Sequence, residues 1–592
     1  AIDATEKLRD KVLDIHFLML AVACGAMAIG AWTEGALLLF LFSFSGALEH
    51  YALHRTYKEI SALTKAVPKM AWIVLPDGST EQRAVARLKV SDRIQVKPDE
   101  IFPVDGSILT GQTAADESTL TGESLPIQKD IGAQVFSGTL NLWGVVTLVV
   151  EKLAAQSALQ KIITLIQEAQ HLKAPSQRFT DRFGTSYTWF VLAITAAMFF
   201  VWWLLFGLPA FTNSAEQASA FYRSMTLLVV MSPCALALSI PSAILAAIAW
   251  GARHGILFRG GAAVEKLSQI DVVAMDKTGT LTEGEMKVSQ VESFPAGREQ
   301  EVLKVAVALE ANSNHPIARA IVGYAKSQGL TSFVQPEDFQ SLTAQGLRGK
   351  IDGQVSYIGK RELLNTPAFS EWIQKIPDSP LGFSEVWVIN NNLVGRILLH
   401  DRIREGSREL LKQLHDRGIR SIMLTGDRMA AAQEIAKDLG VTEVRAGLKP
   451  EEKVAIISEL AATDKKVAMI GDGVNDAPSL AAAYVSVAMG ARGSDAALEQ
   501  SDIVLMKDKI EKFLVARQLS VKASYVIKQN IVISLGAIAL MGLLTLISSI
   551  PLSAGVMVHE GSTVVVCLNS LRLLFMKDFS IDESQAALKG KV

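Results

Sequence analysis

A chain of 592 residues is too long for one compact hydrophobic core, so several domains are expected. Hydrophobic residues make up 49% and charged residues 20%, which is more apolar than a soluble multidomain enzyme needs and implies segments in lipid. The formal net charge of −2, with no basic block interleaved with aromatics, argues against nucleic acid as a partner, and the three cysteines have neither disulfide-framework nor zinc-knuckle spacing.

Six apolar stretches approach the length that crosses hydrocarbon, at about residues 12–31, 34–54, 185–206, 221–250, 526–548 and 551–575. The first has a charged start from Lys7 and could pass for a signal peptide, but its apolar part is long enough to span and a second run follows at once. An even number of spans puts both termini on one side. The connections Ala31–Thr33, Leu208–Ala220 and Ser548–Ser553 contain no Lys or Arg, whereas the other connections and the ends are rich in them. The expectation is an integral protein of the cell (plasma or inner) membrane with its large loops in the cytoplasm.

Spans occupy 1–57, 181–255 and 513–592 in this division. Residues 58–180 alternate β-branched and polar residues between turns such as Pro76-Asp77-Gly78 and Thr121-Gly122, which predicts a small β-rich domain. Short buried strands at Asp271–Met275, Ile419–Leu424 and Lys466–Ile470 alternate with helical patterns, which predicts a doubly wound parallel sheet built from 256–290 and 396–512. Residues 291–395 interrupt that alternation and are expected to form an inserted domain.

Asp276-Lys277-Thr278-Gly279-Thr280-Leu281-Thr282 follows the first of these strands, where open parallel sheets carry their active groups. An aspartate there can attack the γ-phosphate of ATP and form an acyl phosphate. Thr278 and the glycine turn can offer donors to the phosphoryl oxygens. Asp472 and Asp476, in Gly471-Asp472-Gly473-Val474-Asn475-Asp476, can hold Mg²⁺ after the last core strand. Thr425-Gly426-Asp427 ends the strand between, and Lys449 is expected to supply a cation for the phosphoryl oxygens.

These motifs together resemble the phosphorylation domain of P-type ATPases, and the likeness extends over nearly the whole chain. The resemblance implies a six-helix transmembrane domain, a β-rich actuator domain, a doubly wound α/β phosphorylation domain and an inserted α+β nucleotide-binding domain. It makes Asp276 the phosphorylated residue, gives Asp276, Thr278, Asp472 and Asp476 to Mg²⁺, and lines the site with Lys277, Thr425, Asp427, Lys449 and Asn475. Thr121-Gly122-Glu123-Ser124 resembles the family's actuator loop, which makes Glu123 the carboxylate that orients water against the phosphoaspartate. Ser313-Asn314-His315-Pro316 and Gly346-Leu347-Arg348-Gly349 resemble its nucleotide-binding motifs, so His315, Pro316, Gly346 and Gly349 are candidate ATP contacts. Two departures stand out: Asn314 and Ala344 replace a glutamate and a glycine usual in the family.

In the fourth span Ser232-Pro233-Cys234 interrupts an apolar helix, and Pro233 must loosen it beside a thiol. The sixth span carries His559-Glu560-Gly561-Ser562-Thr563, and ionisable residues at membrane depth call for a partner. Cys234, His559 and Glu560, with Ser232 and Thr563 as oxygen donors or supports, form a mixed S, N and O set suited to Zn²⁺ and its neighbours, not to Ca²⁺ or Mg²⁺. Cys24 is expected in a core, and Cys567 one turn beyond Thr563 as a minor ligand or core residue. The pair of motifs resembles the heavy-metal subgroup linked to cobalt, zinc and cadmium, which implies an ATP-driven exporter of divalent transition metals working as a monomer. The rival expectation is a membrane-anchored phosphatase whose spans merely tether it.

Overall fold

The computed structural model describes residues 15–64, 68–117, 126–157, 160, 164, 174–213, 217–311, 313, 315–330, 334–342, 345–364, 376, 379, 383–391, 393–427, 429–472, 476–490, 501–506 and 509–576. The chain divides into two compact units, one of Ala1–Gln269, Asp502–Lys507 and Lys512–Val592, the other of Ile270–Ser501 and Asp508–Glu511.

In the first unit, helices stand at all six apolar stretches: Ile15–Ala28, Trp32–Thr64, Pro175–Phe200, the broken pair Ala220–Val230 and Cys234–Arg253, Lys512–Ile547 and Leu552–Leu571. Among the described residues three segments, Ser186–Leu205, Ala220–Arg253 and Lys512–Ile547, are both long and apolar enough to cross a membrane. The polar His559, Glu560, Ser562 and Thr563 dilute the last helix, and all but Ser562 of these are buried within the protein. The break in the fourth span follows from proline chemistry. Pro233 has no N–H to give to Val229, so Ser232 N donates to the Val229 carbonyl at 3.1 Å and ends the first half, and Cys234 opens the second.

The same unit contains a six-stranded antiparallel sheet, in the order Thr80–Ala84, Met70–Val74, Arg93–Val96, Val146–Lys152, Asp105–Thr110, Gln134–Val135, and a three-stranded one from Ile127–Lys129, Thr113–Asp116 and Leu140–Asn141. Alternation along Val146–Lys152 turns Val146, Leu148 and Val150 inward onto Ile73, Ile94, Phe102 and Ile108. This is the β-rich domain expected between the second and third spans.

The second unit is built on parallel strands. Val272–Asp276 lies between Arg420–Leu424 and Val467–Gly471, and Glu443–Arg445 and Val485–Met489 extend the sheet on either side. Every residue of Val272–Asp276 and Val467–Gly471 is buried, as a sheet covered on both faces requires. An antiparallel six-stranded sheet interrupts this core, in the order Thr282–Phe294, Leu393–Ile403, Ser384–Asn390, Gln354–Gly359, Gly346–Ile351, Glu337–Leu342. Helices Glu299–Glu310 and Pro316–Ser327 pack on it through Val302, Ala306, Leu309 and Ile321. The sheet starts at Thr282 and ends at Ile403, so it extends past both ends of the 291–395 insert, because its first and last long strands pair with each other down to Thr282 opposite Ile403.

Candidate functional site

The parallel register sets Asp276 opposite Leu424, so Asp276, Thr425 and Asp472 all emerge at the carboxyl ends of neighbouring strands. The turn after Asp276 is shaped by Gly279. Its φ of +76° disfavours other residues, and a Cβ there would meet Asp472 Oδ2 at 2.9 Å. Arg404 pins the turn from behind by donating to the Gly279 and Thr280 carbonyls at 2.9 and 3.0 Å. Thr282 Oγ1 adds a 2.6 Å bond to Asp401. Lys277 pairs with Asp427, and Thr425, buried, accepts from Asp427 N at 3.1 Å. Thr278 is extended and exposed on the open side of the turn.

Asp276 itself is buried and faces a cation. Lys453 Nζ donates to Asp276 Oδ1 at 2.6 Å and to Asp476 Oδ1 at 2.7 Å. Burial, then the charge of Asp476, raises the Asp276 carboxyl above its ordinary range, and the Lys453 ammonium only partly offsets this. Burial pulls the ammonium down, but Asp276 and Asp476 outweigh it and leave Lys453 raised.

Lys449 stands elsewhere. It is the exposed N-cap of helix Pro450–Ala462, and its backbone N–H donates to Glu452 Oε2 at 2.7 Å. A proline at the first helical position fixes where the helix begins. One turn further in, Lys453 has the reach that Lys449 lacks. The cation beside Asp276 is therefore Lys453, and the helical spacing after Pro450 was the signal that identifies it. Asn475 and Glu123 lie outside the described residues.

The all-oxygen donors Asp276, Asp472 and Asp476 suit Mg²⁺, and the ammonium bridging two of them shows that the cluster draws a cation. Among the described residues, here and in the membrane, no three His, Cys, Asp or Glu side chains stand close enough to hold a metal by themselves. Mg²⁺ commonly needs only one or two carboxylates besides phosphate and water.

In the inserted domain His315 is exposed and caps helix Pro316–Ser327, its Nδ1 accepting from Ile317 N at 3.3 Å, with Pro316 at the first helical position. Packing requires Gly346, where a Cβ would lie 2.0 Å from the Ile358 carbonyl, whereas a Cβ on Gly349 would press on the Leu309 side chain at 2.9 Å. Asn314 and Ala344 are outside the described residues. Sequence reading passed over Glu310, which is buried five residues before His315; burial pushes its carboxyl from 4.5 up to about 7, against a hydrogen bond with Ser313. The folded domain thus holds a proton that the unfolded chain releases, so the contribution of Glu310 to stability falls as pH rises between about 4.5 and 7 and is constant outside that window. Glu310→Gln is expected to remove about 3 kcal/mol of this dependence. Hydrogen-exchange protection of helix Glu299–Glu310, corrected for intrinsic rates, is the measurement; an unchanged pH slope in the variant would contradict it.

In the membrane helices Ser232 and His559 line one small cavity with Val230, Met541 and Gly555. Cys234 Sγ is 3.4 Å from Ser232 Oγ, and His559 Nε2 is 4.0 Å from Glu560 Oε1. His559, Glu560 and Thr563 are buried, and Thr563 Oγ1 donates to the His559 carbonyl one turn back at 3.4 Å. His559 Nε2 has no hydrogen-bond partner among the described residues. The thiol–serine pair and the histidine–glutamate pair therefore share a neighbourhood through Ser232 and His559 but do not close into one ligand cage. Cys567 is buried and Cys24 is exposed, so Cys24 is not the core residue expected.

A haloacid dehalogenase-like hydrolase family model matches residues 270–483, and a P-type ATPase actuator domain model matches residues 65–167. The chain is 39% identical over 574 residues to the zinc-transporting ATPase of Bacillus subtilis (strain 168), covering 96% of this chain and 88% of that protein. It is 35% identical over 584 residues to a protein named probable cobalt/nickel-exporting P-type ATPase of Mycobacterium tuberculosis (strain CDC 1551 / Oshkosh), covering 98% and 87%. The crystal structure of a zinc-transporting PIB-type ATPase in its E2.Pi state superimposes with a TM-score of 0.63 at 35% identity, over 97% of this chain and 92% of that one. With a buried aspartate at the end of a core parallel strand, a β-rich domain between the second and third spans and relatives matched over nearly their full length, this chain belongs to the P-type ATPase family of membrane enzymes.

Proposed function

We propose that the protein uses ATP to export divalent transition-metal ions, Zn²⁺, Cd²⁺ and Co²⁺ foremost, from the cytoplasm across the cell membrane, and that it works as a monomer. The observation that carries the choice of cargo is the buried cavity shared by Ser232 of the broken fourth span and His559 of the sixth. A soft thiol, an imidazole and a carboxylate within one turn of that cavity favour borderline-soft ions over hard ones. The relatives named for zinc and for cobalt and nickel support the same range.

In the cycle, an Asp276 carboxylate oxygen bonds to the γ-phosphorus of ATP and ADP leaves with the electrons of the broken P–O bond. Lys453 neutralises Asp276 and Asp476 in the resting site and can follow the charge onto the phosphoryl oxygens. Mg²⁺ would be held by Asp472, Asp476 and the phosphorylated Asp276, with Thr278 beside them, and would supply charge neutralisation of the phosphoryl group. His315 and the strand carrying Gly346 and Gly349 are the candidate nucleotide contacts. Glu123 orients the water that later cleaves the phosphoaspartate. Coupling is reciprocal: metal favours phosphorylation as much as the inward-facing state favours metal.

The test is ATPase activity of the purified protein against a series of Zn²⁺, Cd²⁺, Co²⁺, Ni²⁺ and Fe²⁺. Cys234→Ala and Glu560→Ala are expected to lose metal stimulation by at least about tenfold, since each removes a ligand the ion cannot replace cheaply. Both should still accept phosphate on Asp276 from inorganic phosphate. Full metal stimulation in Glu560→Ala would defeat the ligand assignment, and turnover indifferent to every metal would favour a tethered phosphatase.

A further inference from the structure

Beyond these two sites, one network of buried polar groups joins three membrane helices around Asn530. This residue, fully buried in helix Lys512–Ile547, donates through Nδ2 to the Ser239 carbonyl at 3.1 Å and to Ser570 Oγ at 2.9 Å. Its Oδ1 accepts from Asn569 Nδ2 at 2.8 Å. Ser570 Oγ in turn lies 2.8 Å from Ser242 Oγ. One amide therefore ties the second half of the broken fourth span to the fifth and sixth spans.

Two features make this more than a strut. Between helices in lipid, apolar packing supplies little preference for one register, so a directional polar network decides which register is held. The network also lies on the span that follows directly, in the chain, on the unit carrying Asp276. Helix Lys512–Ile547 is unbroken for 36 residues and begins at the residue after Glu511, which belongs to the second unit. Asn530 lies 18 residues into it, roughly 27 Å of helix from Lys512. On the fourth span, Ser239 and Ser242 come one to two turns after Cys234; on the sixth, Ser570 comes about three turns after His559 and Glu560. Any shift of the fifth helix along its axis must either break the Asn530 bonds or carry the cavity-bearing helices with it.

We infer that Asn530 is the coupling clasp of the pump, a positioning residue that makes the fourth, fifth and sixth spans move as one body so that phosphorylation at Asp276 and metal binding in the cavity sense each other. The inference rests on the transport reading above. Neighbouring Ser534 provides the control, because among the described residues its hydroxyl bonds back to the Asn530 carbonyl of the same helix, at 2.8 Å, and to no other span.

The experiment uses the full-length protein in lipid–detergent micelles with Zn²⁺ as the probe. It measures zinc-stimulated ATPase activity and the suppression by zinc of Asp276 phosphorylation from inorganic phosphate. Asn530→Ala is expected to accept phosphate from inorganic phosphate, yet to lose at least tenfold of the zinc stimulation and most of the zinc suppression. Ser570→Ala, which removes one arm of the clasp, should show the same uncoupling more weakly, and Ser534→Ala should behave as the parent. A merely structural role would lower all phosphorylation together and would leave the zinc response of the surviving enzyme intact. Zinc stimulation and suppression within twofold of the parent in Asn530→Ala overturn the clasp. Should Asn530→Ala fail to accept phosphate at all, Ser570→Ala decides, and full zinc coupling in that variant also overturns it. An unsubstituted protein with no response to zinc or any other metal would overturn the transport reading, and the clasp with it.

Discussion

Asp276→Asn is expected to abolish ATP turnover, lowering it by at least about 1,000-fold, because an amide cannot form the acyl phosphate on which the cycle depends. The protein should remain folded. Asn is nearly isosteric with Asp, and burial together with Asp476 already disfavours a negative charge at this position. The measurement is acid-stable label transferred from γ-labelled ATP, with melting of the variant as a control. Normal labelling in Asp276→Asn would move the phosphorylation site to another residue.

Lys453→Met should have the second-largest effect. The change leaves Asp276 and Asp476 facing each other without the ammonium that bonds both at 2.6 and 2.7 Å, and stranding buried charges in this way costs about 3–5 kcal/mol. Phosphorylation from ATP is expected to slow by about 100-fold through loss of a preorganised cation beside the transferring group. Lys449→Met is the informative companion. Its side chain is exposed at the start of helix Pro450–Ala462, and it is expected to keep phosphorylation within about twofold of the parent. Rapid-quench measurement of phosphoenzyme formation separates the two lysines, and equal losses in both variants would contradict the geometry.

The contrast between these lysines shows what a linear reading can and cannot reach. The three core strands are legible because buried parallel strands are short apolar runs ended by Gly, Asp and Thr: Val272–Asp276, Arg420–Leu424 and Val467–Gly471 fall within a residue of where periodicity puts them. The six apolar stretches are equally legible, since length in lipid is a one-dimensional property. The choice between Lys449 and Lys453 depends on which direction a side chain leaves a helix, and that becomes readable only when Pro450 is taken as the helix start. Nor does Asn530 announce itself: a lone amide in an apolar run has no meaning until Ser239, about 290 positions earlier, and Ser570 are brought to it by packing. The insert boundaries are blurred for a related reason. Strands Thr282–Phe294 and Leu393–Ile403 belong to the antiparallel sheet by pairing, but each begins or ends against the phosphorylation turn.

Those two strands have a mechanical consequence. The inserted domain meets the core through the near ends of these strands, a two-stranded ribbon with Thr282 opposite Ile403, Met286 opposite Asp401 and an irregularity between the two pairs; beyond it Leu393–Leu399 pairs with Ser384–Asn390 as part of the insert's own sheet. An irregularity of this kind interrupts the ladder and bends the strand locally. A nucleotide carried by the insert would then be delivered to Asp276 along an arc, like a gramophone arm lowered onto its groove, and the length of the ribbon would set how often the two meet.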